Sequence, residues 1–208
     1  GGDAAEDAAR KITPNTRGLI AVHLYGQPCR MTPLMELAAQ NGLFVLEDAT
    51  QGMGSSYNGR PAGSFGHFAA FSFKGNKSVV AGEGGMLLTS DDLLFDRAAR
   101  LAAGGRSSSN PFAYDFIGFN YSISALQAAL GFAQTSRLDD LMAKKKKIHS
   151  WYRERLADTP GIRLNPVPQD SQPSFLTNLL FIDDQNIQRS KMIMQLHASN
   201  ILAEPAYF

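Results

Sequence analysis

Apolar residues recur along this chain in two rhythms, short continuous runs and stripes at helical spacing, and the two alternate. GLIAVHLYG (Gly18 to Gly26) is a compact apolar run that predicts a buried strand ending in a turn. In TPLMELAAQNG the apolar positions Leu34, Leu37 and Ala38 fall on one helical face. Thr32 is placed to cap that helix and Asn41-Gly42 to stop it. LFVLED (Leu43 to Asp48) predicts the next strand, covered on both faces. FAAFSF and GGMLLTS predict two more. A helix follows in DDLLFDRAARLAAGG, with Ser90 or Asp91 as cap and Gly104-Gly105 as terminator.

After Tyr121 the pattern changes. Ser122 to Leu156 is nearly free of glycine and proline, which predicts one long helix or two joined ones. The polar, proline-rich GIRLNPVPQDSQPS reads as a loop or boundary before a strand in FLTNLLFI, and a last helix is expected over Ile187 to His197. Strand, helix and strand at this spacing predict an α/β layer fold with a mainly parallel sheet.

One stretch fits neither rhythm. FSFKGNKSVVAGEGG (Phe71 to Gly85) sets Lys77 between a strand-like run and a cluster of glycines. Two chemistries use a lysine beside glycines: cradling a phosphate, and condensing with a carbonyl cofactor. A phosphate-cradling P-loop needs its glycines before the lysine at fixed spacing, whereas here they follow it, and AGEGGM lacks the G-x-G-x-x-G order of a dinucleotide fold. Asp48 stands at the C-terminal end of a strand, where open α/β sheets gather ligands. A carboxylate there can pair with the pyridine nitrogen of pyridoxal phosphate and keep it protonated. Gln51 can lie beside the ring and reach its phenolic oxygen. By themselves Lys77 also reads as a surface lysine, and Asp48 as a cap at a strand-to-helix turn.

HLYGQP, EDATQG, GSFGHFAAFSF-x-GNK, GEGGML and IGFNY-x-x-x-x-LQAA occur in that order. Together they resemble the DegT/DnrJ/EryC1/StrS family of pyridoxal-phosphate-dependent nucleotide-sugar aminotransferases, and FSFKGNK…GEGGM is most similar to its perosamine-synthetase-like branch. The resemblance runs from about Ile12 to Asp183. It implies a type I aminotransferase fold, here the central part of the cofactor-binding large domain over residues 1–135, then an interdomain helix and an incomplete small C-terminal domain over residues 136–208. It implies Lys77 as the lysine that holds the cofactor as an internal aldimine and then moves protons. Asp48 is implied as the partner of the pyridinium and Gln51 as the ring-oxygen contact. Ser72 is implied as a phosphate ligand, and Asn120 as a phosphate ligand supplied across a homodimer. The implied reaction transfers an amino group from glutamate to a keto group of a nucleotide-linked sugar, and the GEGG glycines let the backbone pass close to the cofactor.

Two features depart from the family. Ser122 stands where an arginine usually follows NY, and the chain reads as a segment of a longer protein, short of the N-terminal phosphate-binding turn and of part of the C-terminal domain. The rivals are a sugar dehydratase of the same family, a nucleotide-binding module and an inactive fragment. Dehydratases of that kind replace the lysine with histidine, so Lys77 argues against the first.

Composition changes this picture little. Of 208 residues, 20 are basic and 19 acidic, for a net charge of +1, so charge gives no argument for nucleic acid or an anionic membrane. Cys29 is the only cysteine, which excludes an internal disulfide and fits a reducing, cytoplasmic setting. Lys144 to Lys147 read as a solvated helix face. His23, His67, His149 and His197 lack metal-ligand spacing, so no metal is expected. His23 and Tyr25 are open to two readings, as packing residues or as neighbours of the site.

Overall fold

The computed structural model describes residues 4–107, 109–110 and 112–206. Its centre is a four-stranded sheet in the order β1 (Gly18–Val22), β2 (Phe44–Asp48), β5 (Phe68–Ser72) and β6 (Gly85–Leu88). β1 pairs with β2 and β2 with β5 in parallel, while β6 returns antiparallel to β5. The sheet is therefore mainly parallel, as the alternating pattern predicts. The connection between β5 and β6 holds no helix to carry a parallel crossover, and β6 runs back beside β5.

Helix α2 (Met31–Gln40) carries the crossover from β1 to β2 and supplies the core: Met31, Leu34 and Ala38 are buried against Ala21, Leu43, Val45 and Tyr57. Thr32 is not its cap. The helix starts two residues earlier than that cap would set it, with Arg30 at the N-cap and no side-chain cap hydrogen bond. Complete burial of Met31 pulls the first turn back, and Pro33 fits a first turn, where its missing N–H costs nothing.

β2 is also not covered on both faces. Val45 and Glu47 are buried on the α2 side, whereas Phe44 is 37% exposed on the other. Across that second face Ile20, Leu46 and Phe68 are in register, as are Val22, Asp48, Ala70 and Leu87. Ile20 is 68% and Leu87 50% exposed, so much of this apolar face lies open.

A short antiparallel sheet of β3 (Ser56–Tyr57), β4 (Arg60–Pro61) and β8 (Ser171–Gln172) ties the late segment of the chain to the early one. α1 (Ala4–Ala9) packs on α2. α3 (Asp92–Ala102) is capped by Asp91, whose carboxylate accepts from the backbone N–H groups of Leu93 and Leu94. Such a cap stabilises a helix by about 1 kcal/mol.

The Ser122–Leu156 stretch is two helices, α4 (Ala125–Thr135) with a Ser124–Gln127 capping box and α5 (Leu138–Leu156). Leu138 and Leu141 of α5 pack on Phe73, Val79 and Ala81 beside β5. β7 (Ile162–Leu164) pairs antiparallel with β9 (Leu180–Ile182), and α6 (Arg189–Ala198) follows. Among the described residues, no helix is long and apolar enough to cross a membrane.

Candidate active site

Asp48 and Ser72 lie at the C-terminal ends of the parallel strands. Asp48 is the last residue of β2, in register with Val22 of β1 and Ala70 of β5. Ser72 lies two residues beyond Ala70, so the side-chain period of two puts it on the same face as Asp48. Asp48 Oδ1 accepts from the Thr50 N–H at 3.1 Å, and its other oxygen has no hydrogen-bond partner among the described residues.

Beyond Ser72 the chain makes a closed excursion. Phe73 N–H donates to Gly84 O, Ala81 N–H donates to Phe73 O, and Lys74 bridges Gly82, which pins the root of the loop. Val79, fully buried, anchors it. Lys77 lies inside this loop, half-buried, with its N–H on Lys74 O. Its ammonium group has no hydrogen bond or ion pair among the described residues. The next side chain, the Ser78 hydroxyl, is buried without a partner.

Gly82 and Gly84 have φ of 85° and 99°, a conformation that side chains rarely adopt, and a Cβ on Gly84 would lie 2.8 Å from Ile123 Cγ2. The backbone of this return therefore demands those two glycines by itself.

Gln51 sits three residues past Asp48, and its Oε1 accepts from the Tyr25 N–H at 2.6 Å. That bond leaves the amide NH2 of Gln51 facing away from Tyr25. Tyr25, within the turn Leu24–Gly26 after β1, holds a left-handed backbone (φ 58°, ψ 17°). For a bulky residue this is a strained conformation that surrounding contacts must maintain.

Asn120 is elsewhere. It is exposed and bridges Ala103 just past the end of α3, with no hydrogen bond to Asp48, Gln51, Ser72 or Lys77. A shallow concavity of about 500 Å³ at the opposite, N-terminal ends of β1 and β2 is lined by residues such as Ile12, Arg17 and Leu43. It contains no carboxylate, histidine or lysine.

The model of the DegT/DnrJ/EryC1/StrS aminotransferase family matches residues 4–208. The chain belongs to this family. It is 32% identical to a GDP-perosamine synthase of Vibrio cholerae over 99% of this chain and 56% of that protein. It is 42% identical to the Caulobacter vibrioides GDP-perosamine synthase over 70% of this chain and 39% of that protein. The crystal structure of the aminotransferase TlmJ from Streptoalloteichus hindustanus superposes with a TM-score of 0.90 at 26% identity, covering 98% of this chain and 55% of that one. The chain thus spans about half the length of the relatives it matches.

Within this family frame the structure adds a group that sequence reasoning passed over. Glu47, one residue before Asp48 and on the opposite face of β2, is fully buried. Its carboxylate accepts four hydrogen bonds: from His23 Nε2 at 2.9 Å and Gly63 N–H at 2.7 Å on Oε2, and from Phe65 N–H at 2.6 Å and Gly66 N–H at 2.7 Å on Oε1. Burial pushes the carboxyl pKa upward, but these four bonds outweigh it and hold the value below the ordinary range.

His23 Nδ1 accepts from the Cys29 N–H at 3.1 Å, so the ring proton is on Nε2, facing Glu47. His23 is thus a satisfied buried residue that also adjoins Asp48, whose backbone oxygen accepts from the His23 N–H. The signal for the pair was available. A glutamate alternating with Val45 on a buried strand face requires a partner, and His23 directly follows the neighbouring strand.

A late segment also reaches the site. Ser174 N–H donates to Gly26 O at 2.9 Å, and its hydroxyl lies 3.4 Å from Gln51 O.

Proposed function

We propose that the protein containing this chain is a pyridoxal-phosphate-dependent aminotransferase that moves an amino group from glutamate to a keto group of a nucleotide-linked sugar. The observation that carries this reading is the pairing of Asp48 and Ser72 on one face at the ends of adjacent strands, with the loop of Lys77 continuing from Ser72. The residues present fit the cofactor. Asp48 keeps one carboxylate oxygen free of donors, the Ser78 hydroxyl is buried without a partner beside Lys77, and the loop offers an amine with no competing ion pair.

Bound there, pyridoxal phosphate supplies a carbonyl that takes up an amino group and a ring that accepts electrons from the substrate carbon. Lys77 Nζ is the nucleophile toward that carbonyl and, when released, the group that carries a proton to and from the substrate carbon. Asp48 holds the pyridine nitrogen in its protonated form. The Gln51 amide NH2, turned outward by the Tyr25 bond, donates to the ring oxygen. Ser72 donates to the phosphate, and Asn120 does so from the neighbouring subunit of a homodimer, which accounts for its exposure within one chain. The division at residues 135 and 136 belongs to the same reading and coincides with the break between α4 and α5.

The relatives named as GDP-perosamine synthases support a nucleotide-linked sugar as amino acceptor. Mixing the cofactor-loaded full-length protein with glutamate tests the proposal. The visible absorption of the loaded form should bleach as 2-oxoglutarate appears in equal amount. Glutamate that leaves the spectrum unchanged would reject it.

A further inference from the structure

We propose that the buried His23–Glu47 pair is a positioning device for the candidate site, with His23 and Glu47 as positioning residues that set Asp48 and Gln51 relative to one another. This rests on the functional reading above, and the geometry behind it is local.

Glu47 precedes Asp48 on β2, so any rotation of that strand moves both side chains. Its carboxylate gathers three N–H groups of the 63–66 turn, and this turn feeds directly into β5, which ends at Ser72. On the other side it holds His23, whose backbone N–H donates to Asp48 O at 3.0 Å. The His23 ring lies against the loop that carries Gln51: a Cβ on Gly52 would sit 2.7 Å from His23 Cβ. Two residues past His23, the left-handed Tyr25 donates to Gln51 Oε1. One buried carboxylate thus ties the C-terminal ends of β1 and β2, and through His23 the loop of Gln51, to the turn that enters β5.

A purely structural role would be met more cheaply. Apolar side chains of the same volume fill such a space without desolvating a charge. A carboxylate with four directed bonds instead fixes a single geometry, because each donor has one place to be.

Hydrogen–deuterium exchange on the full-length protein, in His23→Leu and His23→Gln forms, tests this. His23→Leu removes the donor to Glu47, and His23→Gln keeps an N–H near the Nε2 position. In His23→Leu, peptides covering Tyr25–Cys29 and Thr50–Met53 should exchange about tenfold faster, while β5 peptides stay within about twofold of the unmodified protein. The dissociation constant for pyridoxal phosphate, read from absorbance, should rise about tenfold, with His23→Gln recovering much of both effects.

Faster exchange spread evenly over the sheet, or unchanged exchange at Tyr25 and Gln51, would overturn the proposal. If His23→Leu does not fold, His23→Asn, whose shorter amide cannot reach Glu47 from the Nε2 position, takes its place with the same pattern expected. Failure of the unmodified protein to bind pyridoxal phosphate would count against the aminotransferase reading instead, and the exchange pattern would still decide the positioning claim.

Discussion

The backbone N–H of Tyr25 and the side-chain oxygen of Gln51, 26 residues apart in sequence, are joined by a hydrogen bond of 2.6 Å. The bond fixes which end of the Gln51 amide faces outward. Gln51→Glu keeps an acceptor for Tyr25 but replaces the outward donor with a second acceptor bearing charge. It should fold normally and bind pyridoxal phosphate about tenfold more weakly, by absorbance titration. Equal affinity would mean that Gln51 makes no donor contact with the ring.

Asp48→Asn conserves shape and removes the charge proposed to keep the pyridine nitrogen protonated. Turnover of the full-length protein should fall about 100-fold or more, with little change in melting temperature, because only one backbone N–H, that of Thr50, bonds this carboxylate. A loss of stability with near-normal turnover would make Asp48 a turn cap.

Glu47 links the fold to pH. Its folded pKa lies below the ordinary carboxylate value of about 4.3, so its stabilisation is fully present above that value and is lost as pH falls through the folded pKa. Glu47→Gln should cost about 3 kcal/mol at pH 7, since an amide cannot accept at both ends. The gap between the two proteins should close in acid. Denaturant melts from pH 7 to 3 that run parallel would show that the charge of Glu47 contributes nothing.

Much of this architecture could be read from the amino-acid pattern. The strand runs ending in Asp48 and Ser72 are apolar and short, α2 carries a clear stripe, and the order of motifs from HLYGQP to IGFNY pointed to the family. The remainder depends on contacts between segments distant in sequence. Thr32 looked like a cap because capping signals are local, whereas the start of α2 is set by where Met31 can be buried. β2 looked covered on both faces because an apolar run does not say which neighbours are present. The Glu47 cradle is made by backbone N–H groups of residues 63, 65 and 66, and no side chain advertises them. The GEGG glycines were assigned to close approach by the cofactor, yet Gly82 and Gly84 already meet a backbone requirement of the loop.

Cys29 gives a check on the same buried region. Its thiol donates to Val22 O at 3.1 Å, and burial, reinforced by the Glu47 charge, raises its pKa to about 11. Thiolate is the reactive form, so Cys29 should react with a disulfide reagent at pH 8 about 100-fold more slowly in native than in unfolded protein. Native reactivity close to that of a free thiol would mean that the region around His23 opens readily.

Reductive trapping decides whether Lys77 is the amine that holds the cofactor. The full-length protein is loaded with pyridoxal phosphate, reduced with borohydride, digested and mapped by peptide mass. One stoichiometric label is expected, on Lys77. A label on Lys74, three residues away and exposed, or no stable label at all, would contradict it.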